Sequence, residues 1–399
     1  MITVEKADEI IARDQQPLTE ETIPFENAMG RILREPIKAD RDLPPYDRIM
    51  MDGVVISSAG WATGHRSFSV SGLQLPGNPP LTLNNPNSCI KAMTGAVMPQ
   101  GCDIVVPREE YEETAEMVTV NKDFIAEPER FLHRSGSDHL AGEVLINPGV
   151  QLGPNEIAVM ASCGLEKVAV TREIRMTVID TGDELVKVGD PITPYQIRRS
   201  NAHALTSASV KEPYVTATSH HCPDDRNMLK NLIGETLEVS DLVLLSGGVS
   251  KGERDYVPGV LAEYGVETCF HWVRQWPGKP LWFGRRSGGP LVFGLPGNPL
   301  SALTCFHRYV KTVLRGLAGV GPVKPFEVVL TEAITYPRST TAFLPVNIST
   351  GKAGFLEAVP KWPRNSGDFV SIVGTDGFVQ LPAEQNDFPI GFMARFFSW

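Results

Sequence analysis

The sequence predicts a multidomain protein built on a central doubly wound, mostly parallel α/β domain, with an inserted small β domain, a helical/mixed linking domain and a C-terminal β-barrel-like domain. Three observations predict it. Between residues 172 and 317, short apolar runs alternate with helix-periodic segments, the pattern of a parallel sheet covered by helices on both faces. Residues 41–137 instead carry period-two runs such as Phe68-Ser69-Val70-Ser71-Gly72-Leu73 and Met117-Val118-Thr119-Val120, which read as half-buried strands. Residues 323–399 return to short strands.

In chain order, Thr3 opens a helix whose apolar side is Ala7, Ile10 and Ile11, and a second short helix is expected over 25–33. Pro44-Pro45 opens the β segment, Pro76-Gly77-Asn78-Pro79-Pro80 punctuates it, and Arg134-Ser135-Gly136-Ser137-Asp138 ends it. A strand at 142–146 follows, then a helix with Pro154 in its first turn and Gly164 as its cap. This piece is expected to pack on residues 1–35. The linking domain is then 1–40 plus 138–171, and the β domain of 41–137 is an insertion in it. The α/β domain covers 172–322, with strands expected at 175–180, 215–220, 242–245, 268–273, 281–284 and 290–294. Its helices are expected at 201–211, 225–238, 256–264 and 299–316, the last capped by Asn298 with Pro299 in its first turn. The C-terminal domain of 323–399 is expected to have strands at 327–330, 343–348, 369–373, 377–381 and 393–397.

Composition narrows the function. The chain has 399 residues and a net charge of −10. That balance argues against a general nucleic-acid binder, which needs a basic surface. No apolar run approaches the ~18 residues of a membrane span, and the N-terminus has no export signal. The six cysteines lie far apart and form no C-x-x-C pair, as expected of reduced thiols in a cytoplasmic protein. No G-x-S-x-G or G-x-x-x-x-G-K-[ST] motif occurs, against a serine hydrolase or a P-loop NTPase.

The chemistry gathers in three loops that follow three expected strands. They are Asp180-Thr181-Gly182-Asp183-Glu184, the run Ser246-Gly247-Gly248-Val249-Ser250 leading to Asp255, and Gly294-Leu295-Pro296-Gly297-Asn298-Pro299. In a parallel sheet all three fall at the carboxyl ends of the strands, where ligands bind. Glycines let backbone N–H groups approach a phosphate, and a helix N-terminus favours an anion. Asp180, Asp183, Glu184, Asp224, Asp225 and Asp255 crowd the same edge. Carboxylates beside a phosphate call for a cation, and Mg²⁺ is held by one or two carboxylates plus substrate phosphates. The reading is therefore a phosphorylated or nucleotide ligand. His220-His221-Cys222 cannot converge on one ion, because strand neighbours point to opposite faces.

Seven motifs taken in order resemble one family over nearly the whole chain. They are Met51-Asp52-Gly53, Met93-Thr94-Gly95-Ala96, Thr181-Gly182-Asp183-Glu184-Leu185, Ser246-Gly247-Gly248-Val249-Ser250, Asp255-Tyr256, Pro277-Gly278-Lys279-Pro280 and Leu295-Pro296-Gly297-Asn298-Pro299. The family is the molybdopterin molybdenumtransferases, of the MoeA or gephyrin E-domain type. The resemblance implies a MogA-like α/β domain and a homodimer of four-part subunits. It implies insertion of molybdate into adenylylated molybdopterin with release of AMP and a need for Mg²⁺. An upstream adenylylating protein and downstream molybdoenzyme chaperones are its implied partners. Glu184, Asp224 and Asp255 match positions used for Mg²⁺ and for cleavage of the pyrophosphate bond. Gly247, Gly248, Ser250 and the Pro296-Gly297-Asn298 turn would cradle the phosphates, beside Thr181, Gly182, Asp183 and Ser246. Asp52, Thr94 and Asp138 match positions tied to activity from the β domain. Lys279, Ser301 and Ser366 match positions near molybdate.

Three positions depart from the family pattern. Trp276 and Thr340 stand where the family usually carries a lysine and an arginine, and Arg338 is the nearest base to the second. Arg199 stands where an aspartate usually precedes Ser-Asn. A diverged paralogue that binds pterin-nucleotide as a carrier or scaffold is the competing expectation.

Overall fold

The computed structural model describes residues 1–13, 15–249, 255–321, 326–351 and 354–399. Two compact units divide it: residues 1–35, 148–154 and 167–399 form one, and residues 36–147 with 155–166 form the other.

The first unit is built around a six-stranded sheet. Its strands run in the order Val215–Cys222, Ile174–Thr181, Leu242–Ser246, Leu291–Leu295, Trp282–Arg286 and Val266–His271. The first four run parallel; Trp282–Arg286 alone runs opposite, pairing antiparallel with both Leu291–Leu295 and Val266–His271. Successive side chains of a strand point to opposite faces, so a run that is apolar at every position must be covered twice. Leu242 and Leu244 enter one apolar cluster, with Leu205 of the helix Asn201–Ser209 and Phe306, Val313 and Leu314 beyond residue 299. Val243 and Leu245 enter the other, with Leu229 and Ile233 of the helix Arg226–Val239 and Val257 and Val260 of the helix Val257–Glu263. Each such side chain, fully buried, stabilises the fold by roughly 1.5–3 kcal/mol. This is the doubly wound sheet expected from the sequence.

The register places the loops. Asp180 pairs with His221 on one side and Ser246 on the other, and Ser246 pairs with Leu295. Three parallel strands therefore end in one row, and the segments that follow them leave the same edge.

The expected helix of 299–316 is present but not regular. Pro299–Cys305 and Lys311–Ala318 are α-helical, and a π-turn of Phe306–Val310 joins them. Beyond it, the strands Phe326–Leu330, Thr341–Thr350, Leu356–Pro360, Gly377–Leu381 and Met393–Ser398 close into a five-stranded barrel. Phe343 and Phe378 of the barrel share the apolar cluster of Phe306 and Cys305. One C-terminal expectation fails. Residues 370–372 form a 3₁₀ turn instead of a strand, because Asp368 accepts the Ser371 N–H at 3.3 Å and holds a local turn. The barrel takes Leu356–Pro360 in its place.

At the N-terminus, Thr3 caps the helix Val4–Ala12 by accepting from the Lys6 N–H. The second helix expected there is only a 3₁₀ turn, Phe25–Asn27. Gly30 and Leu33 donate instead to the carbonyls of Leu152 and Val150, so tertiary pairing overrides the local pattern. The strand Glu20–Pro24 pairs antiparallel with Lys167–Thr171.

The second unit carries a six-stranded sheet in the order Ile104–Pro107, Gly53–Ile56, Ser88–Ala92, Ser67–Gln74, Met117–Val120 and Tyr111–Glu113. A Cβ on Gly53 would lie 2.0 Å from the Val106 carbonyl oxygen. Only glycine fits after Asp52, which fixes the Asp52 turn at the sheet end.

Candidate active site

The loops at the carboxyl edge of the parallel strands enclose a cleft of ≈ 520 Å³. Thr181, Gly182 and Glu184 line it from the first loop, Ser246, Gly247 and Gly248 from the second, and Pro296, Gly297 and Asn298 from the third. Asp224 and Asp255 line it as well. The sequence reading thus brings eleven of its residues to one place. Ser250 lies outside the described residues, as do 251–254.

Close backbone approach makes the cleft. Gly247 has φ +97°, and a Cβ there would lie 2.9 Å from both the carbonyl and the hydroxyl oxygen of Thr181. A side chain would push the first and second loops apart. The second and third are joined by Asn201, whose Nδ2 donates to Ser246 Oγ and to the Gly297 carbonyl, both at 2.8 Å. The far end of the second loop is held where His271 Nε2 meets the Val249 carbonyl at 2.9 Å.

Asn298 stands at the N-cap position, but its side chain makes no capping bond. It donates instead to Ser366 Oγ at 2.7 Å. This corrects the cap expected from the sequence and attaches a barrel residue to the third loop. Asp183 faces a backbone partner: its Oδ1 accepts the Asp224 N–H at 3.0 Å. Asp225 is occupied as the cap of Arg226–Val239, accepting from Asn227 and Met228.

Four carboxylates line the cleft, at Asp180, Glu184, Asp224 and Asp255, against two guanidiniums, at Arg198 and Arg199. Asp180 is 1% exposed. Burial pushes its carboxyl above the usual range, opposed by Arg199 and the Ala202 backbone N–H. Among the described residues, Asp180 Oδ1 and Thr181 Oγ1 are buried without a hydrogen-bond partner. His221 Nε2 meets the Gly182 carbonyl at 3.0 Å, and Cys222 is a buried free thiol. The donors that face the cleft are oxygens. Among the described residues no three acidic, histidine or cysteine side chains come together closely enough to hold an ion by themselves. Such a set suits a hard cation whose remaining ligands are phosphate oxygens.

Sequence reasoning missed Asn201, Arg198 and Arg199 as cleft residues and named Asp180 only as part of an acidic crowd. Arg198 ends the short strand Ile197–Arg198, which pairs in parallel with Leu185–Val186, and Arg199 and Asn201 follow it. The only signal in the sequence was the Arg199-Ser200-Asn201 run ahead of a helix.

The residues expected near molybdate do not line the cleft. Lys279 places its ammonium 5.7 Å from the Trp272 ring centre, and Ser301 is 2% exposed. Trp276 lies beside Tyr336, and the Arg338 guanidinium stands 5.8 Å from both rings. Thr340 Oγ1 bonds the Tyr336 hydroxyl at 2.9 Å. In the second unit, Asp52 accepts the Thr94 N–H at 2.6 Å and its hydroxyl at 2.7 Å. The backbone bond, then the hydroxyl, hold the Asp52 carboxyl below its ordinary value. Asp138 lies 2.9 Å from His133 Nε2. His133 Nδ1 faces Arg48 Nη2 at 3.0 Å. Arginine only donates, so Nε2 carries the proton toward Asp138.

Comparison with known proteins agrees with this layout. Residues 2–164 match the MoeA N-terminal region (domain I and II), 177–316 a probable molybdopterin binding domain, and 327–391 the MoeA C-terminal region (domain IV). The chain is 35% identical over 400 residues to a molybdopterin molybdenumtransferase of Synechocystis sp., covering all of both chains. It is 29% identical over 396 residues to one of Staphylococcus aureus, covering 98% of this chain and 94% of the relative. A solved molybdopterin biosynthesis moea protein from Pyrococcus horikosii superposes with a TM-score of 0.83 at 29% identity, covering 100% of this chain and 99% of that one. With the expected fold, the converging loops and full-length similarity in hand, the chain belongs to the molybdopterin molybdenumtransferase family.

Proposed function

We propose that this chain is a molybdenum insertase: it transfers molybdate into adenylylated molybdopterin and releases AMP, and the carboxylates of its cleft would hold the Mg²⁺ it needs. The convergence of three loops with Asp224 and Asp255 on one cleft, in a chain of this family, carries the reading. Glu184, Asp224 and Asp255 would hold the metal. When bound, Mg²⁺ would neutralise charge on the pyrophosphate as it breaks.

The chain's own groups then have definite tasks. Backbone N–H groups at Gly247 and Gly248 and the Pro296-Gly297-Asn298 turn hold the phosphates. Asn201 keeps those two loops at a fixed spacing. Asp255 receives a proton from the water that cleaves the phosphoanhydride; the water oxygen joins one phosphorus and the bridging oxygen leaves with the other. The dithiolene sulfurs come from the substrate, so no protein thiol is required. This agrees with Cys305, whose thiol burial pushes up to about 12. Lys279, Ser301, Arg338 and Ser366 serve the molybdate end, and Asp52, Thr94 and Asp138 of the β domain are needed for activity. The active form is a cytoplasmic homodimer that receives substrate from the adenylylating protein and passes product to molybdoenzyme chaperones.

A second reading, a carrier that binds pterin-nucleotide without inserting metal, draws support from the aromatic surroundings of Arg338. The test supplies purified protein, adenylylated molybdopterin, Mg²⁺ and molybdate, and measures AMP by chromatography. AMP release that needs molybdate and is lost in Asp255→Asn is expected. Tight substrate binding with no AMP released by the unaltered protein would sink the insertase reading and favour the carrier.

A further inference from the structure

Two partly buried ion pairs show how arginine holds structure in this chain. Arg172 grips Asp241 through Nη1 and Nη2 at 2.7 and 2.6 Å, and Arg308 grips Asp8 at 2.9 and 2.6 Å. Both terminal nitrogens are engaged in these forks, which hold structure. Arg199 differs. It touches Asp180 by Nε alone, at 3.4 Å. Among the described residues neither of its terminal nitrogens has a hydrogen-bond or ion-pair partner in the protein. Its side chain is 17% exposed and lines the cleft.

The carboxylate behind it explains why it stays there. Asp180 is fixed by the sheet register between His221 and Ser246 and is buried. A buried carboxylate needs a counter-charge, so Arg199 is retained at the cleft floor before any ligand arrives. It stands two residues ahead of Asn201, which ties the second and third loops. A planar guanidinium with two donors on one edge matches two oxygens of a phosphate.

We propose that Arg199 is an anion clamp of the cleft: Nε rests on Asp180 while the two terminal nitrogens bind a phosphate of the nucleotide part of the ligand. The proposal rests on the nucleotide-binding reading of the cleft above. It puts a resident protein cation on the phosphate in a cleft whose charged side chains are mostly carboxylates, so part of the phosphate affinity persists without divalent metal.

The test is calorimetric titration of the full chain with AMP and with adenosine, each with Mg²⁺ and with chelator. Arg199→Met should weaken AMP by about tenfold or more, in line with loss of a charge-assisted pair, and leave adenosine within twofold. Arg199→Lys should recover only part of the AMP affinity, because an ammonium cannot form the fork. If Arg199→Met fails to fold for want of a partner to Asp180, the neutral pair Asp180→Asn with Arg199→Met should show the same fall in the AMP-to-adenosine affinity ratio. An AMP affinity within twofold of the unaltered protein, or equal weakening of AMP and adenosine, overturns the clamp and leaves the nucleotide reading standing. Failure of the unaltered protein to bind AMP overturns both.

Discussion

Asn201→Ala removes two hydrogen bonds and nothing else that the cleft needs. The side chain donates to Ser246 Oγ and to the Gly297 carbonyl at 2.8 Å each, across 45 and 96 residues of chain. A neutral hydrogen bond contributes a net ~0.5–1.5 kcal/mol, so the pair is worth about 1–3 kcal/mol. If that energy orders the two phosphate loops, its loss appears as weaker binding by about 5- to 140-fold, taking 1.4 kcal/mol per factor of ten. Asn201→Asp should do worse, because a carboxylate cannot donate to the Gly297 carbonyl and adds charge beside a phosphate. The assay is AMP affinity by calorimetry, with thermal unfolding as control. A modest fall in stability with unchanged AMP affinity in Asn201→Ala would refute the reasoning, since the two loops would then hold their spacing without the tie.

Three further outcomes are expected. Burial pushes the Asp241 carboxyl up, but the bonds from Arg172 and Arg175 outweigh it and bring the group down to about 2 from 3.8. A depressed carboxyl stabilises the fold above its ordinary pKa and loses that contribution as pH falls from about 4 toward 2; Asp241→Asn should therefore cost about 2 kcal/mol near pH 7 in urea unfolding, and an equal cost near pH 3 would contradict the assignment. Thr94→Val keeps the backbone bond to Asp52 and removes the hydroxyl one, so the Asp52 carboxyl should rise toward its ordinary value in an NMR titration; no movement would show that the hydroxyl bond does not hold it. A double-mutant cycle of Asn298→Ala and Ser366→Ala should show a coupling of ~0.5–1.5 kcal/mol in unfolding, whereas additive effects would mean that this bond does not join barrel and loop.

Legibility in the sequence followed the range of the interactions. The run Leu242–Ser246 announces a strand buried on both faces, and Gly247-Gly248 after it announces a turn. Both signals are local, and both hold in the structure. Asn201 carries no such signal, because its role is set by loops far along the chain that the register brings to one edge. Residues 25–33 have helix-like spacing, but their N–H groups find partners at 150 and 152. The turn at 370–372 was misread for the opposite reason: a short apolar run resembles a strand until Asp368 bonds back on Ser371. At Asn298 the residue type and position were right and the partner wrong, since a cap side chain can reach across to another domain's hydroxyl when one is offered.

Phe343 and Phe378 sit in the same apolar cluster as Phe306 and Cys305. The consequence is for cooperativity. Cutting the chain ahead of residue 326 would not release a self-sufficient sheet domain; it would strip cover from the helical segment that begins at the third loop. Sheet and barrel should therefore melt in one transition. A lesion deep in the barrel, such as Phe378→Ala, would loosen the third loop's helix without touching the cleft, and would register as lost ligand affinity in a residue that no ligand meets.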